Sequence, residues 1–371
     1  MDNVGFMSVS IAGIKMRNPV ILAAGPRGRD GFSLKKAADC GAGAVTTKTI
    51  YFEAAKVPHP NMVRIIGGLL NAERWSDLKY EEWVEKEIVK AKEGGVPVIA
   101  SIKSLKNKPK EIADIAQGTI EAGADMIEIT ATYRNTPLIR LVRAAKKAVD
   151  APVIPKVTIF ESYDLKRIGK KLEMAGADAI SCMDSIGPCL AIDVKTGKPI
   201  LGSLAGTGNL TGRAIKPIAL YQVNNLAQVL KIPIIGIGGI QHGNDAVEMI
   251  MAGASAVGVC TAAILQGPEV LGKIAGEIAS FMKENQYKKV NDLVGLVLKR
   301  IDERKRKVTV LYEGKPPKII LDRCNRCGFC ARACPYNAIS LNGIISISEK
   351  HCYGCGLCST ICPVNAIVSP Y

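Results

Sequence analysis

The chain has 371 residues, and at about 150 residues per domain this length calls for two or three domains rather than one. A composition of 48% hydrophobic and 22% charged residues, with 36 glycines and 19 prolines, supports a large buried core and excludes a disordered or collagen-like chain. Forty-nine Lys and Arg against 34 Asp and Glu leave a net charge of +15, which bears on solubility and partners and not on fold.

The opening MDNVGFMSVS has no basic region followed by an apolar run, so no signal peptide and a cytoplasmic location are expected. A short phrase then recurs along the chain. Gly41-Ala42 precedes GAVTTKT, Gly123-Ala124 precedes DMIEIT, Gly176-Ala177 precedes DAISCM, and Gly253-Ala254 precedes SAVGVCT. Each pair follows an amphipathic stretch, so each glycine is expected to supply the left-handed residue that ends a helix before a buried strand. Four further apolar runs, Val20 to Gly25, Val98 to Lys103, Val153 to Val157 and Ile234 to Gly239, bring the strand candidates to eight. With helix-length segments between them, and an aromatic share of only 5%, the pattern predicts an α/β TIM barrel whose core is Ala, Val, Ile and Leu.

Strand seven ends in Gly236-Ile237-Gly238-Gly239-Ile240 and strand eight in Gly258-Val259-Cys260-Thr261. Both place bare backbone at the C-terminal face of the barrel, where this fold commonly binds phosphate. Lys48 ends strand two and Lys156 lies within strand five, each flanked by apolar residues. A lysine there is costly unless it meets an anion, so both are expected in the barrel mouth. The charge-free stretch Met249 to Pro268 is long enough to span a bilayer, but its glycines, Thr261 and Gln266 break it into helix end, turn and strand, and no membrane span is expected. Beyond Glu269 the pattern is helical. Its eleven lysines and arginines between Lys283 and Lys318 are mixed with Asp292, Asp302, Glu303 and Glu313 and have only Tyr287 and Tyr312 as aromatics among them. They read as a solvated helix face, and no nucleic-acid partner is expected.

From Lys318 the composition changes, which divides the chain into a barrel with a helical extension at 1–317 and a second domain at 318–371. Cys324, Cys327, Cys330 and Cys334 precede Pro335, and Cys352, Cys355, Cys358 and Cys362 precede Pro363. Both runs read C-x2-C-x2-C-x3-C-P, the spacing of two-cluster bacterial ferredoxins, in which the fourth cysteine of each run serves the other cluster. The expected ligands of one 4Fe-4S cluster are Cys324, Cys327, Cys330 and Cys362; those of the other are Cys352, Cys355, Cys358 and Cys334. A disulfide scaffold needs an oxidising compartment, and structural zinc uses paired C-x2-C knuckles, so neither matches as well. Two such clusters transfer single electrons, so the barrel is expected to hold a group that exchanges them.

The segments Asn18 to Pro26, Thr46 to Thr49, Leu69 to Glu73, the Lys156 strand, Thr211 to Leu220 and Ile237 to Ile240, followed by the two cysteine runs, resemble the dihydroorotate dehydrogenase and dihydropyrimidine dehydrogenase superfamily. The resemblance covers nearly the whole chain and implies an FMN-binding barrel. Ala24, Gly25, Lys48, Asn71, Lys156, Thr211, Gly212, Gly238, Gly239, Cys260 and Thr261 match the family's flavin-contact positions.

The departures concern the substrate. After strand four the family carries N-x-S-C-P on a mobile loop, with the cysteine or serine as acid/base; this chain reads Thr130-Ala131-Thr132-Tyr133-Arg134 on a shorter loop. After strand six the family's asparagine-threonine pair is replaced by Asp184-Ser185. Tyr133 offers a phenolic proton or simple packing, and Asp184 offers a general acid or a loop cap. Cys182 is expected to be buried, and Cys189 on a loop is a lesser candidate for the lost thiol. The resemblance therefore implies a flavin- and iron-sulfur-dependent oxidoreductase acting on a CH-CH bond of a small anionic substrate other than uracil or dihydroorotate. It also implies a separate redox partner, either a flavoprotein subunit or a ferredoxin, and a homo- or hetero-oligomer. Two alternatives stand beside this reading: an electron-transfer subunit whose FMN barrel has lost turnover, and a family enzyme with a substitute acid.

Overall fold

The computed structural model describes residues 4–130, 137–306 and 314–370, and its contacts divide them into two units, Met1–Arg300 and Ile301–Tyr371. The first unit is a closed barrel of eight parallel strands. They are β1 (Val20–Leu22), β2 (Ala44–Thr46), β3 (Val98–Ile102), β4 (Met126–Thr130), β5 (Val153–Val157), β6 (Ile180–Cys182), β7 (Ile234–Ile237) and β8 (Ala256–Val259). Every strand pairs with its neighbour in sequence, and β8 closes on β1. Strands flanked by helices outside and by side chains inside are buried on both faces, so they read as continuous apolar runs. All five residues of β3 and all five of β5 are buried.

The outer helices include α1 (Gly31–Asp39), α2 (Ile88–Lys92), α3 (Pro109–Glu121), α4 (Leu138–Ala148), α5 (Leu165–Met174), α6 (Lys216–Ala227), α7 (Gly243–Ala252) and α8 (Val270–Glu284). Among the described residues no helix is long and apolar enough to cross a membrane. At the C-terminal side of the strands a four-stranded antiparallel sheet runs in the order Ile186–Leu190, Thr207–Thr211, Gly68–Asn71, Met62–Ile65. It is built from the loops after β2 and β6, so residues far apart in sequence share one wall.

The second unit repeats itself. Helix α9 (Phe329–Ala333) follows a left-handed Gly328, and α10 (Leu357–Ile361) follows a left-handed Gly356. Lys318–Ile319 pairs with Ile367–Val368, and Ile339–Asn342 pairs with Ile344–Ile347. Its small core is Cys330, Ile339, Ile345 and Ile367. The contact boundary at Arg300 falls earlier in the chain than the change of composition at Lys318. It lies within the helix Leu296–Arg306, which is largely charged and buries no residue.

All four recurring glycines take positive φ, from 97° at Gly176 to 127° at Gly253, the conformation a helix-ending residue needs before the chain turns into a strand. Two of them permit a clean comparison. A Cβ at Gly253 would lie 2.3 Å from the Ala227 Cβ, whereas one at Gly123 would meet only Lys92 Cγ at 3.7 Å. Both alanine variants incur a left-handed strain of about 1 kcal/mol, and only Gly253→Ala adds a clash between packed helices. Thermal unfolding should therefore show a larger loss of midpoint for Gly253→Ala than for Gly123→Ala; equal losses would show that the close approach to Ala227 relaxes freely.

Candidate active site

Strand register explains why charged groups converge at the barrel mouth. Residues paired across a parallel ladder face the same side, and Ser101 pairs with Glu128, Thr130 with Lys156, and Lys156 with Ser181. Lys156 Nζ lies 2.8 Å from Glu128 Oε1, with 6% and 5% of the two side chains exposed. Ser181 Oγ donates to Glu128 Oε2 at 2.9 Å. Burial works against the lysine's charge, yet Glu128, and beyond it Asp184, hold its pKa above the ordinary lysine value. Lys48 Nζ is paired in the same way, 2.8 Å from Glu73 Oε2 and 3.2 Å from Asp77 Oδ1. Both lysines sit in the mouth as their flanking residues predict, but the anion each meets is a carboxylate of the protein itself.

These groups surround a cavity of about 310 Å³, whose walls include Ala24, Gly25, Lys48, Asn71, Glu73, Arg74, Trp75, Lys103, Thr130, Lys156, Asp184, Asn209 and Thr211. A narrower chamber of about 70 Å³ is walled by Gly212, Gly238, Gly239, Gly258 and Thr261. Ala24, Lys156, Asp184, Ser185, Thr211 and Cys260 line both, so the two form one elongated cleft. The narrow part, walled by glycine backbone, has the shape of a phosphate site, and the wide part has room for a flat ring system and a small molecule beside it. Asn71 is fixed by donating to the Asn209 carbonyl at 3.2 Å, and the Thr211 hydroxyl donates to the Leu69 carbonyl at 3.2 Å.

Every flavin-contact position named from the sequence lies on this cleft. Asp184 lines both chambers, and its Oδ1 accepts from the Ser185 amide at 2.7 Å, so the loop-capping geometry is present together with access to the cavity. Tyr133 lies outside the described residues. Cys182 is fully buried. Cys189 is not on a loop: it belongs to the strand Ile186–Leu190, paired with Thr207–Thr211, and its Sγ donates to the Ile186 carbonyl at 3.4 Å. It lines neither chamber, and the ladder that holds it requires a partner strand distant in sequence. Burial pushes the Cys260 thiol up to about 11, against the pull of Lys156, and Cys260 Sγ lies 3.6 Å from the Ala24 carbonyl. It is a protonated wall residue and not a thiolate nucleophile.

Lys103 has no counterpart among the residues singled out from sequence. It follows directly on β3, continues the inward alternation of Ser101, and is 9% exposed. Its Nζ lies 4.9 Å from the Trp75 ring centroid, and the indole is anchored by donation from Nε1 to the Glu53 carbonyl at 2.7 Å. Burial lowers the Lys103 pKa to about 8; Asp184 counters this and Arg74 adds to it. The sequence signal was available, since Lys103 ends the run VIASIK as Lys48 ends strand two.

In the second unit, Cys324, Cys327, Cys330 and Cys362 surround one hollow, and Cys334, Cys352, Cys355 and Cys358 surround another. The backbone amide of Ala338 donates to Cys334 Sγ at 3.3 Å and that of Ala366 to Cys362 Sγ at 3.2 Å. Hydrogen bonds of this kind stabilise thiolate charge and raise the potential of a cluster held there. Tyr336 and Tyr353 stack at 4.4 Å beside the second ring of cysteines.

A parallel barrel with a charged cleft at its strand ends, joined to two rings of four cysteines, defines a redox enzyme that combines an organic cofactor with iron-sulfur clusters. Residues 6–282 match the dihydroorotate dehydrogenase family, and residues 323–366 match a 4Fe-4S dicluster domain. Among curated relatives, the catalytic subunit of dihydroorotate dehydrogenase B (NAD(+)) from Methanothermobacter thermautotrophicus is 38% identical, over 78% of this chain and 98% of its own length. The subunits of the same name from Methanosarcina mazei and Pyrococcus abyssi are 38% and 36% identical, covering 95% and 99% of their lengths. The chain belongs to the dihydroorotate dehydrogenase family, whose members are FMN-dependent oxidoreductases acting on a CH-CH bond, and it carries a 4Fe-4S dicluster domain. The relatives are spanned almost whole, while about a fifth of this chain has no counterpart in them.

The Glu128–Lys156 pair gives a quantitative test. Removing one partner of a buried pair strands the other charge and costs about 3–5 kcal/mol. Glu128→Leu and Lys156→Met should each destabilise on this scale, and the double variant should cost well under the sum of the two. Denaturant titration of all four proteins checks this; strictly additive losses would show that the two groups do not act as a pair.

Proposed function

We propose that the chain exchanges electrons with a separate redox partner through its dicluster unit and, at the barrel cleft, transfers hydride to or from a small anionic molecule other than dihydroorotate or uracil. FMN supplies a two-electron hydride carrier when bound, and the clusters supply one-electron carriers. The observation that carries this reading is the open cavity of about 310 Å³ with Lys103, Arg74 and Asp184 on its walls. A barrel retained only as an electron relay has no need of an open, charged chamber beside its cofactor.

The fit to FMN rests on this chain's own residues. The glycine-walled chamber at Gly212, Gly238 and Gly239 suits a terminal phosphate. Lys156 on the seam between the chambers suits the electron-rich edge of the ring, where a cation favours the reduced anion. Gly25 would place a Cβ 2.6 Å from Cys260 Sγ, so the wall there is kept bare by packing. The two cysteine rings support the crossed ligation expected of a doubled C-x2-C-x2-C-x3-C-P motif. The relatives are named as catalytic subunits, which supports a separate partner for this chain.

The departure from dihydroorotate and uracil rests on lost groups. A positioned acid or base contributes about 10² to 10⁴-fold to rate, and Tyr133 stands in the sequence where the family carries its loop cysteine or serine. A site that recognises substrate amides loses discrimination when the partners become Thr130 and Asp184. In anaerobic stopped-flow mixing, flavin reduction by dihydroorotate and flavin reoxidation by uracil should therefore be at least about a hundredfold slower than in a competent family enzyme. Rapid reaction with either molecule would contradict the proposed substrate class and return the chain to the family's ordinary chemistry.

A further inference from the structure

Among the described residues three lysines reach the cleft, and two are already neutralised: Lys48 by Glu73 and Asp77, Lys156 by Glu128. Among the described residues, Lys103 has no carboxylate within ion-pair distance, although only 9% of it is exposed. Its known neighbour is the Trp75 ring at 4.9 Å, which favours the ammonium form but cannot neutralise it. A buried cation facing a cavity without a counter-ion is complementary to an anion supplied from outside. Exposed Arg74, on the same wall, adds positive charge at the mouth.

We propose that Lys103 is the specificity-determining residue of the cleft, receiving the carboxylate of a small organic acid, with Arg74 drawing that acid in. The inference deepens the oxidoreductase reading and rests on it, since the acid would enter the same cleft whose residues would hold the cofactor. Asp184 lines the same cavity within electrostatic reach of Lys103, and the paired Lys48 and Lys156 are left to the cofactor. The arrangement selects acids over their amides, because only a carboxylate completes the charge balance of Lys103.

The lysine's pKa of about 8 gives the site a recognisable pH signature. The anion binds the ammonium form, so affinity is full below about pH 8 and falls as pH rises through it, by about tenfold per unit when one proton must be bound. The other groups facing Lys103 do not mimic this. Arg74 stays charged, Lys156 is held charged by Glu128, and burial pushes the nearby Tyr51 phenol upward and keeps it neutral. Asp184 and the ion-paired Lys48–Glu73–Asp77 group also face the cleft.

The test uses anaerobically purified holoprotein and follows the flavin absorbance during titration with fumarate and benzoate, with fumaramide and benzamide as neutral counterparts, from pH 6.5 to 9.5. The acids should perturb the flavin and the amides should not, with affinity declining above pH 8. Lys103→Met should weaken acid binding by about ten- to a hundredfold at unchanged flavin content, while Lys103→Arg should retain binding and lose the pH dependence, because its charge does not titrate. If Lys103→Met loses flavin, the pH profile of Lys103→Arg decides alone. Wild-type affinity in Lys103→Met, an unchanged pH slope in Lys103→Arg, or equal response to acids and amides would overturn the proposal and leave the oxidoreductase reading intact, as would silence of the wild type toward both acids. Wild-type protein that holds no flavin would overturn the oxidoreductase reading, and this proposal with it.

Discussion

A charge taken out of water inside a barrel has to be neutralised there, and the cleft is organised by that requirement. Lys156 projects inward from β5 because the two-residue alternation of the strand and the register with β4 leave it no other side. The Glu128 carboxylate from β4 meets it, and Ser181 from β6 donates to the same carboxylate. Three neighbouring strands are thus tied by one charged chain at the level where the barrel opens. An unpaired ammonium at that depth would be driven to its neutral form. Paired, it remains a fixed positive group on the seam between the two chambers, and its position is set by backbone register and not by a mobile loop.

The same accounting separates structural from receptive charge. Lys48 and Lys156 are matched by protein carboxylates, so they add local dipoles without leaving the cleft strongly basic. Among the described residues Lys103 is unmatched by a carboxylate, and it carries the remaining demand for an anion into the wide chamber. In the second unit the problem is inverted, because the cysteine sulfurs of a bound cluster are electron-rich and need donors. The amides of Ala338 and Ala366 point at the sulfurs of Cys334 and Cys362, the fourth cysteine of each run. The two halves of that unit use the same device because they are copies of one motif.

Much of this was legible in the sequence where the controlling physics is local. A glycine that ends a helix, followed by a run of branched apolar residues, marks a helix-to-strand junction without knowledge of the partner strand; four barrel strands follow from that cue and the other four from their apolar runs alone. The cysteine runs are legible for the same reason, since their spacing encodes how thiolates close around a cubane. What could not be read depends on pairing between distant segments. Glu128 looks like one more residue of an apolar strand until the β4–β5 register, which pairs Thr130 with Lys156, puts it on the lysine's face of the sheet within reach of Nζ. Cys189 looks like a loop residue beside Pro188 until Thr207–Thr211 supplies the ladder that holds it. Lys103 is an intermediate case: its place at the end of an apolar run was visible, but that it has no ion-pair partner among the described residues emerges only when the partners of the other two lysines are known.

The most direct test of the account is cofactor analysis of the protein purified without oxygen. The barrel cleft and the crossed cysteine rings together require noncovalent FMN released on denaturation, with about eight iron and eight acid-labile sulfides per chain from two cubanes. One-electron reductant added to the intact protein should then bleach the flavin as well as the clusters. Protein containing zinc in place of iron, or iron-sulfur protein with no flavin, would contradict it.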